Sequence, residues 1–299
     1  MKIVVVGSVA FDNVETPYGK VENVIGGSAT FFSVAASFFA PVAVVAVVGR
    51  DFPKSELDFL RARGIDTEGV EVAAGRTFRW TGRYHEDMNL RDTLDLQLNV
   101  FAEFRPKVPP SYRDAEICFL STIHPSLQKS VLDQLSGTRL VGADTMTHWI
   151  QETRAEFVEL LRGVEVLTVN DEEARLLSGE RNIVAAARKI LALGPKSLLI
   201  KRGEYGVLHF SGDSVFAVPA FPLEQVFDPT GAGDAFAGGF IGALAKSGDF
   251  SAAAVRRAIV YGSVMASFVV EDFSLNRLRP LTNDDVERRY RQFVALTEF

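Results

Sequence analysis

The sequence predicts an α/β protein, a mostly parallel sheet with helices on both faces and a small second sheet laid over it. Three observations carry this expectation. Six apolar runs recur as near-continuous stretches rather than alternating ones, as strands covered on both sides do. Helical patterns lie between the runs, so successive strands are joined by crossover connections. One segment breaks the rhythm by alternating apolar and polar residues, as an antiparallel hairpin with one wet face does.

The six runs are "KIVVVGS" (2–8), "VAVVAVVG" (42–49), "EICFLS" (116–121), "TRLVGAD" (138–144), "VEVLTVN" (164–170) and "SLLIKRG" (197–203). Between them, helical spacing predicts helices over roughly 28–39, 53–63, 126–136, 150–162, 171–178 and 182–193. Three more are expected at 234–246, 251–269 and 283–297. The break falls at 76–101, where "RTFRWTGRYHE" and "DTLDLQLNVF" flank the turn "DMNLRD". Residues 9–24 also read as extended and turn-rich. Segments 9–24 and 76–104 read either as a small sheet that covers the crevice of the main body (1–8, 25–75 and 105–299) as a lid or as a decorative edge hairpin, with "RPKVPP" (105–110) marking the return.

Composition narrows the function classes. The chain has 299 residues, 47% hydrophobic and 23% charged, an ordinary globular balance. A formal net charge of −6 argues against nucleic acid as the main partner. Cys118, the single cysteine, sits in a buried run and reads as a core residue. The apolar N-terminus lacks a signal-peptide pattern and no uncharged apolar run of ~20 residues occurs, so a cytoplasmic protein without a membrane span is expected. The four histidines are scattered, without metal-ligand spacing.

The stretch "VFDPTGAGDAFAGGF" (226–240) carries the chemistry. Small and apolar residues continue from it at helical spacing as far as Gly248, so Gly231, Ala232 and Gly233 fall at a helix N-terminus. The N–H groups there have no intrahelical partners, and the helix dipole adds positive potential. Without bulky side chains they can close on a phosphate. Asp234 is either a helix-capping acid after a common glycine-rich turn or, beside such a socket, a carboxylate that accepts a proton from a hydroxyl while phosphate is transferred to that oxygen. No G-x-x-x-x-G-K-[ST] occurs, and "GSVAFD" after the first strand is not G-x-G-x-x-G.

"DPTGAGDAFAGGF" closely resembles the C-terminal signature of the ribokinase-type (PfkB) carbohydrate and nucleoside kinases. "GGSATFFSVAASFF" (26–39) resembles the family's N-terminal di-glycine signature, "VNDEEARLLSG" (169–179) its Asn-x-x-Glu element, and "KRGEYGV" (201–207) the strand-turn along the nucleotide. "LRARGIDTEGV" (60–70) is family-like too, and the matches keep the family's order along nearly the whole chain.

The resemblance implies a ribokinase-like three-layer α/β/α fold with a small β-sheet lid. It also implies transfer of the γ-phosphoryl group of ATP to an alcohol of a sugar or nucleoside. Asp234 would be the base, and the N–H groups of Gly231, Ala232, Gly233 and Asp234 the anion hole. Asn170 and Glu173 would organise Mg²⁺ through water, and Lys201, Gly203 and Gly206 would line the nucleotide. Asp12, Gly26 and Gly27 would hold the acceptor, with Phe101 facing it from the lid. Asp228 and Thr230 match positions where some members bind a monovalent cation such as K⁺. Homodimerisation through the lid is common among relatives. A departure stands after the di-glycine, where sugar-specific members carry an asparagine and this chain has Phe31 and Phe32. Their rings either stack on a flat acceptor or pack in the core. His148 and Trp149 follow a strand's C-terminal end without an assigned role.

Overall fold

The computed structural model describes residues 1–298. The first half holds β1 (Ile3–Val6), β2 (Ala10–Thr16), β3 (Gly19–Gly26), α1 (Ser28–Ala36), β4 (Val42–Gly49), α2 (Lys54–Ala62), β5 (Ile65–Asp66), β6 (Val70–Ala73), β7 (Phe78–Tyr84), β8 (Arg91–Gln97), β9 (Ile117–Leu120), α3 (Pro125–Leu132) and β10 (Leu140–Asp144). The second half holds α4 (Thr147–Glu152), α5 (Arg154–Leu161), β11 (Val166–Asn170), α6 (Asp171–Ser178), α7 (Ile183–Leu191), β12 (Ser197–Lys201), β13 (Val207–Ser211), β14 (Ser214–Val218), α8 (Ala232–Ser247), α9 (Ala252–Val269) and α10 (Asn283–Thr297).

The main sheet runs β14-β13-β12-β11-β10-β9-β1-β4-β5, with β6 paired to β4. All pairs from β12 to β5 are parallel, and β13 and β14 add an antiparallel edge. Alternation within the apolar strands divides the core in two. Ile3 and Val5 of β1, with Val42 and Val44 of β4, join one cluster with α1, α8, α9 and α10. Val4, Val6, Ala43 and Val45 join the other, with α3, α5, α6 and α7. Three layers result, because every strand residue must cover an apolar side chain on one face or the other, each worth ~1.5–3 kcal/mol when fully buried. Helix α9 is apolar and long enough to cross a membrane, but half of it is buried in this core and it packs along α8.

Some details differ from expectation. The helix expected over 150–162 is two helices, broken at Thr153, whose Oγ1 donates back to the Trp149 carbonyl at 3.0 Å; such a bond competes with the helical ladder. The hairpin β13–β14 was not anticipated. It is a short edge pair turning at Ser211–Ser214, where alternation over five-residue strands leaves little periodic signal. Gly27 caps α1, and the Ser28 Oγ accepts from the Ser8 N–H at 3.3 Å and ties the helix to the end of β1.

Segments from the two predicted insertions form a separate four-stranded sheet, β3-β2-β7-β8. Its register sorts its two faces. Asp12 lies opposite Trp80, Val14 opposite Gly82, Gly82 opposite Thr93, and Tyr84 opposite Arg91, and residues directly opposite share a face. Asp12, Val14, Trp80, Gly82, Tyr84, Arg91 and Thr93 therefore line one face. On the other, Arg83 donates to Glu15 Oε1 at 2.9 Å and Asn13 to Thr81 Oγ1 at 3.0 Å.

Candidate active site

The site forms where β10, β11 and β12 end side by side. Their last residues are Asp144, Asn170 and Lys201, at the C-terminal edge where parallel α/β sheets keep their ligands. The N-terminus of α8 faces the same region. Gly231 caps that helix with φ 79°, in the left-handed region, and a Cβ there would lie inside the Phe31 ring. Only glycine meets both demands. Gly233 lies close to Lys201, whose Nζ is 3.0 Å from where a Cβ on Gly233 would be. The Lys201 ammonium thus stands beside the first turn of α8, and it donates to Asp144 Oδ2 at 2.9 Å.

Asp234 sits in the first turn of α8, half-buried. Burial, then the charge of Asp144, raises its pKa to about 7, against the pull of Lys201 and Arg91. Its carboxyl therefore exchanges its proton near neutral pH. Asn170 and Glu173 close a capping box at the start of α6: Asn170 Oδ1 accepts from the Glu173 N–H at 2.7 Å, and Glu173 Oε2 from the Asn170 N–H at 2.8 Å. That box also fixes a buried carboxylate beside the strand ends. Burial, then Asp144, raises Glu173, and Lys201 lowers it.

Across the cleft, Asp12 is 5% exposed on the inner face of the small sheet. Its pKa rises to about 8, from burial first, then from Asp228 and Asp234, with Arg91 and the Gly27 N–H opposing. Gly26, opposite Ala10 at the end of β3, must be glycine because a Cβ would occupy the Asp12 carboxylate. Gly27 follows as the cap of α1. Trp80, directly opposite Asp12, lays its ring over Gly82 and donates from Nε1 to Thr93 Oγ1 at 3.2 Å. Phe101 stacks on Phe78 at 5.2 Å and on Phe104 at 5.8 Å, at the root of the small sheet. Gly203 and Gly206 shape the turn between β12 and β13, and Asn89, from the β7–β8 turn, fills the space beside Gly203.

Asp228 and Thr230 are engaged in their own turn. The buried Asp228 accepts from the Thr230 N–H at 2.8 Å and from the Ser274 N–H at 3.4 Å. Thr230 Oγ1 donates to the Tyr84 hydroxyl at 3.2 Å, which joins the small sheet to the residue before Gly231.

Phe31 and Phe32 present no face to a ligand. They are 1% and 0% exposed; Phe31 backs Gly231, and Phe32 stacks on Phe119 at 4.5 Å. His148 and Trp149 form an aromatic cluster with His124, and the Trp149 Nε1 is buried without a partner among the described residues. Sequence reasoning missed Asp144, Tyr84 and Arg91. Asp144 had a readable signal, an acid ending a buried parallel strand. Tyr84 and Arg91 had none, since only the hairpin register places them.

Residues 1–280 match the pfkB family of carbohydrate kinases. The cytidine kinase of Thermococcus kodakarensis is 33% identical over 251 residues, covering 82% of this chain and 89% of the relative. Among solved structures, the nucleoside kinase of Burkholderia thailandensis in complex with inosine superposes with a TM-score of 0.81 at 21% identity, covering 98% of this chain and 99% of that one. The aminoimidazole riboside kinase of Salmonella enterica, complexed with aminoimidazole riboside and an ATP analog, gives 0.76 at 18% identity, covering 97% and 100%. With a match of this extent and a ribokinase-type fold beneath it, the chain belongs to the PfkB family of carbohydrate kinases and is a phosphotransferase with an alcohol acceptor.

Proposed function

We propose that this kinase transfers the γ-phosphoryl group of ATP to a hydroxymethyl group of a nucleoside. The observation that carries the reading is the position of Asp234. It stands in the first turn of a glycine-opened helix, with a pKa near neutrality, and close enough to Asp12 for its charge to be felt there.

In this reading Asp12 accepts hydrogen bonds from ribose hydroxyls, with Gly26 and Gly27 allowing close approach and Phe101 bracing that end of the lid. Asp234 takes the proton from the attacking hydroxyl. The N–H groups of Gly231, Ala232, Gly233 and Asp234 stabilise charge on the transferring group. Lys201 lies along the phosphates, and the Gly203–Gly206 turn lines the nucleotide. No cluster of three or more acidic, histidine or cysteine side chains suited to a metal occurs among the described residues. That suits Mg²⁺, which keeps its waters and takes phosphate oxygens with one or two carboxylates. Glu173, oriented by Asn170, would hold such a water. Bound with ATP, the ion neutralises phosphate charge.

A nucleoside is favoured over a free sugar by Trp80. It gives Asp12 a flat aromatic neighbour on the same face, a surface a base can stack on and a bare pentose does not need. The similarity to a cytidine kinase points the same way. The test is ADP release from MgATP with cytidine, uridine, adenosine, inosine, ribose and fructose in parallel. At least one nucleoside should exceed ribose in kcat/KM by about tenfold or more, the scale of one well-used aromatic contact. Ribose or fructose as the best acceptor would sink the reading.

Assembly belongs to the same proposal. Strand β8 is a free sheet edge, with Leu94 and Leu96 49% and 51% exposed, and an exposed apolar edge invites pairing. A second copy meeting this edge gives a dimer in sedimentation equilibrium, and Leu94→Glu should return it to monomer. A monomeric wild type at micromolar concentration would remove the lid-paired dimer.

A further inference from the structure

We infer that Arg91, carried by the lid, is a catalytic residue that contacts the phosphoryl group in flight; the inference rests on the kinase reading above. Arg91 opens β8 directly opposite Tyr84, on the face that carries Asp12 and Trp80. The Tyr84 hydroxyl is fixed by Thr230 at 3.2 Å, one residue before Gly231. That anchor brings the corner of the lid holding Arg91 to the mouth of the α8 N-terminus. Asn89, two residues earlier, sits against Gly203, so the same turn also reaches the nucleotide side.

The other two arginines of β7 and β8 are committed elsewhere. Arg79 pairs with Asp51 at 3.1 Å and Arg83 with Glu15 at 2.9 Å, both from the opposite face of the sheet. Arg91 makes no such ion pair among the described residues. Its guanidinium carbon stands 5.7 Å from the Trp80 ring centre, and the residue keeps access to solvent although protein atoms crowd the guanidinium. Desolvation pulls its pKa down, but Tyr84, Glu173 and Asp234 outweigh that and hold it above its ordinary value. In return Arg91 lowers Asp12, Glu173 and Asp234. These three carboxylates belong to the acceptor, the metal side and the base. A cation felt by all three lies within electrostatic range of the acceptor side, the metal side and the base at once.

The charge balance of the main body calls for such a group. The charge of Asp144 already bears on both Glu173 and Asp234, and Lys201 is held by Asp144. A polyanionic nucleotide then meets few free cations until the lid supplies one. In the step itself, the acceptor oxygen forms a bond to the γ-phosphorus, and the bond from that phosphorus to the β,γ-bridging oxygen breaks. The acceptor proton passes to Asp234, and ADP leaves. Arg91 keeps its proton throughout and donates N–H groups to the equatorial oxygens, where charge is greatest in the transition state.

The test compares wild type, Arg91→Lys, Arg91→Gln and Arg91→Ala with MgATP and the best nucleoside acceptor. Arg91→Gln should lose about 10²–10³ in kcat, the scale of one preorganised charge-stabilising donor, with KM for both substrates nearly unchanged. Free guanidinium should restore part of the Arg91→Ala rate and leave Arg91→Lys unaffected, which a folding defect would not do. A kcat for Arg91→Gln within about threefold of wild type overturns the inference. So does a loss confined to acceptor KM, which would make Arg91 an acceptor-binding residue. If the wild type turns over no acceptor, the reading of the site fails on its own. Arg91 is then judged by MgADP–fluoroaluminate binding: weaker binding by tenfold or more in Arg91→Gln, with MgADP binding intact, supports it, and equal binding overturns it.

Discussion

Replacing Asp234 with asparagine is expected to lower kcat by about 10²–10⁴, with MgATP affinity nearly intact. Asparagine keeps the size and the position in the first turn of α8 but cannot take a proton at neutral pH. The wild-type pH profile supplies a second readout. In the proposed role Asp234 works ionised, and burial and Asp144 raise its pKa to about 7. So kcat/KM should rise with pH up to about 7 and level off above it, and the residual rate of the variant should lack that limb. Stability moves the other way. A carboxyl whose folded pKa lies above its unfolded value of about 4 favours the fold fully below pH 4 and loses that contribution as pH rises through 7. The free Asp234→Asn protein should therefore gain Tm over wild type at pH 8 and not at pH 4. A kcat within about tenfold of wild type would remove Asp234 from its role.

Replacing Gly231 with alanine is expected to be nearly as damaging. The residue caps α8 at φ 79°, a conformation that costs an L-residue roughly 1–2 kcal/mol. The new Cβ would also collide with the Phe31 ring, which is 1% exposed and cannot swing into solvent. Relief requires the turn to shift, and with it the N–H groups that would hold the phosphate. Loss of that socket should cost about 10²–10³ in kcat. A fall in Tm of several degrees should accompany it. Adding Phe31→Leu to make room should recover part of the Tm but little of the rate, because the φ strain remains. A Gly231→Ala enzyme with near wild-type kcat would mean that these N–H groups do not face the reacting phosphate.

Much of the architecture was legible because it is local. The runs around β1, β4, β9, β10, β11 and β12 are apolar on both faces, which is a property of six or so consecutive residues. The glycine-rich opening of α8 and the Asn170–Glu173 pair are likewise read within one turn of helix. The aromatic residues after the di-glycine show the limit. Their type was plain, but whether Phe31 and Phe32 stack on a ligand or fill the core depends on what packs against α1, and that is α8 and β9, about 90 to 200 positions further along.

The chain's local pattern alone fixed the order of the six parallel core strands, the presence of an inserted small sheet, and the candidate chemistry of the residues from Asp228 to Asp234. Periodicity and backbone freedom write these into short windows of the chain. Which charges meet is settled only by the packing of distant segments. Asp144 and Lys201 end strands that are separated in the sheet by β11, yet their side chains join at 2.9 Å. Tyr84 reaches Thr230 across 146 positions, and Arg91 is delivered to the cleft by its register opposite Tyr84. Electrostatic energy depends on separation in space and on how much water lies between the groups. Neither is a function of distance along the chain, so the cation that the lid brings to the reaction becomes visible only once the two sheets are folded together.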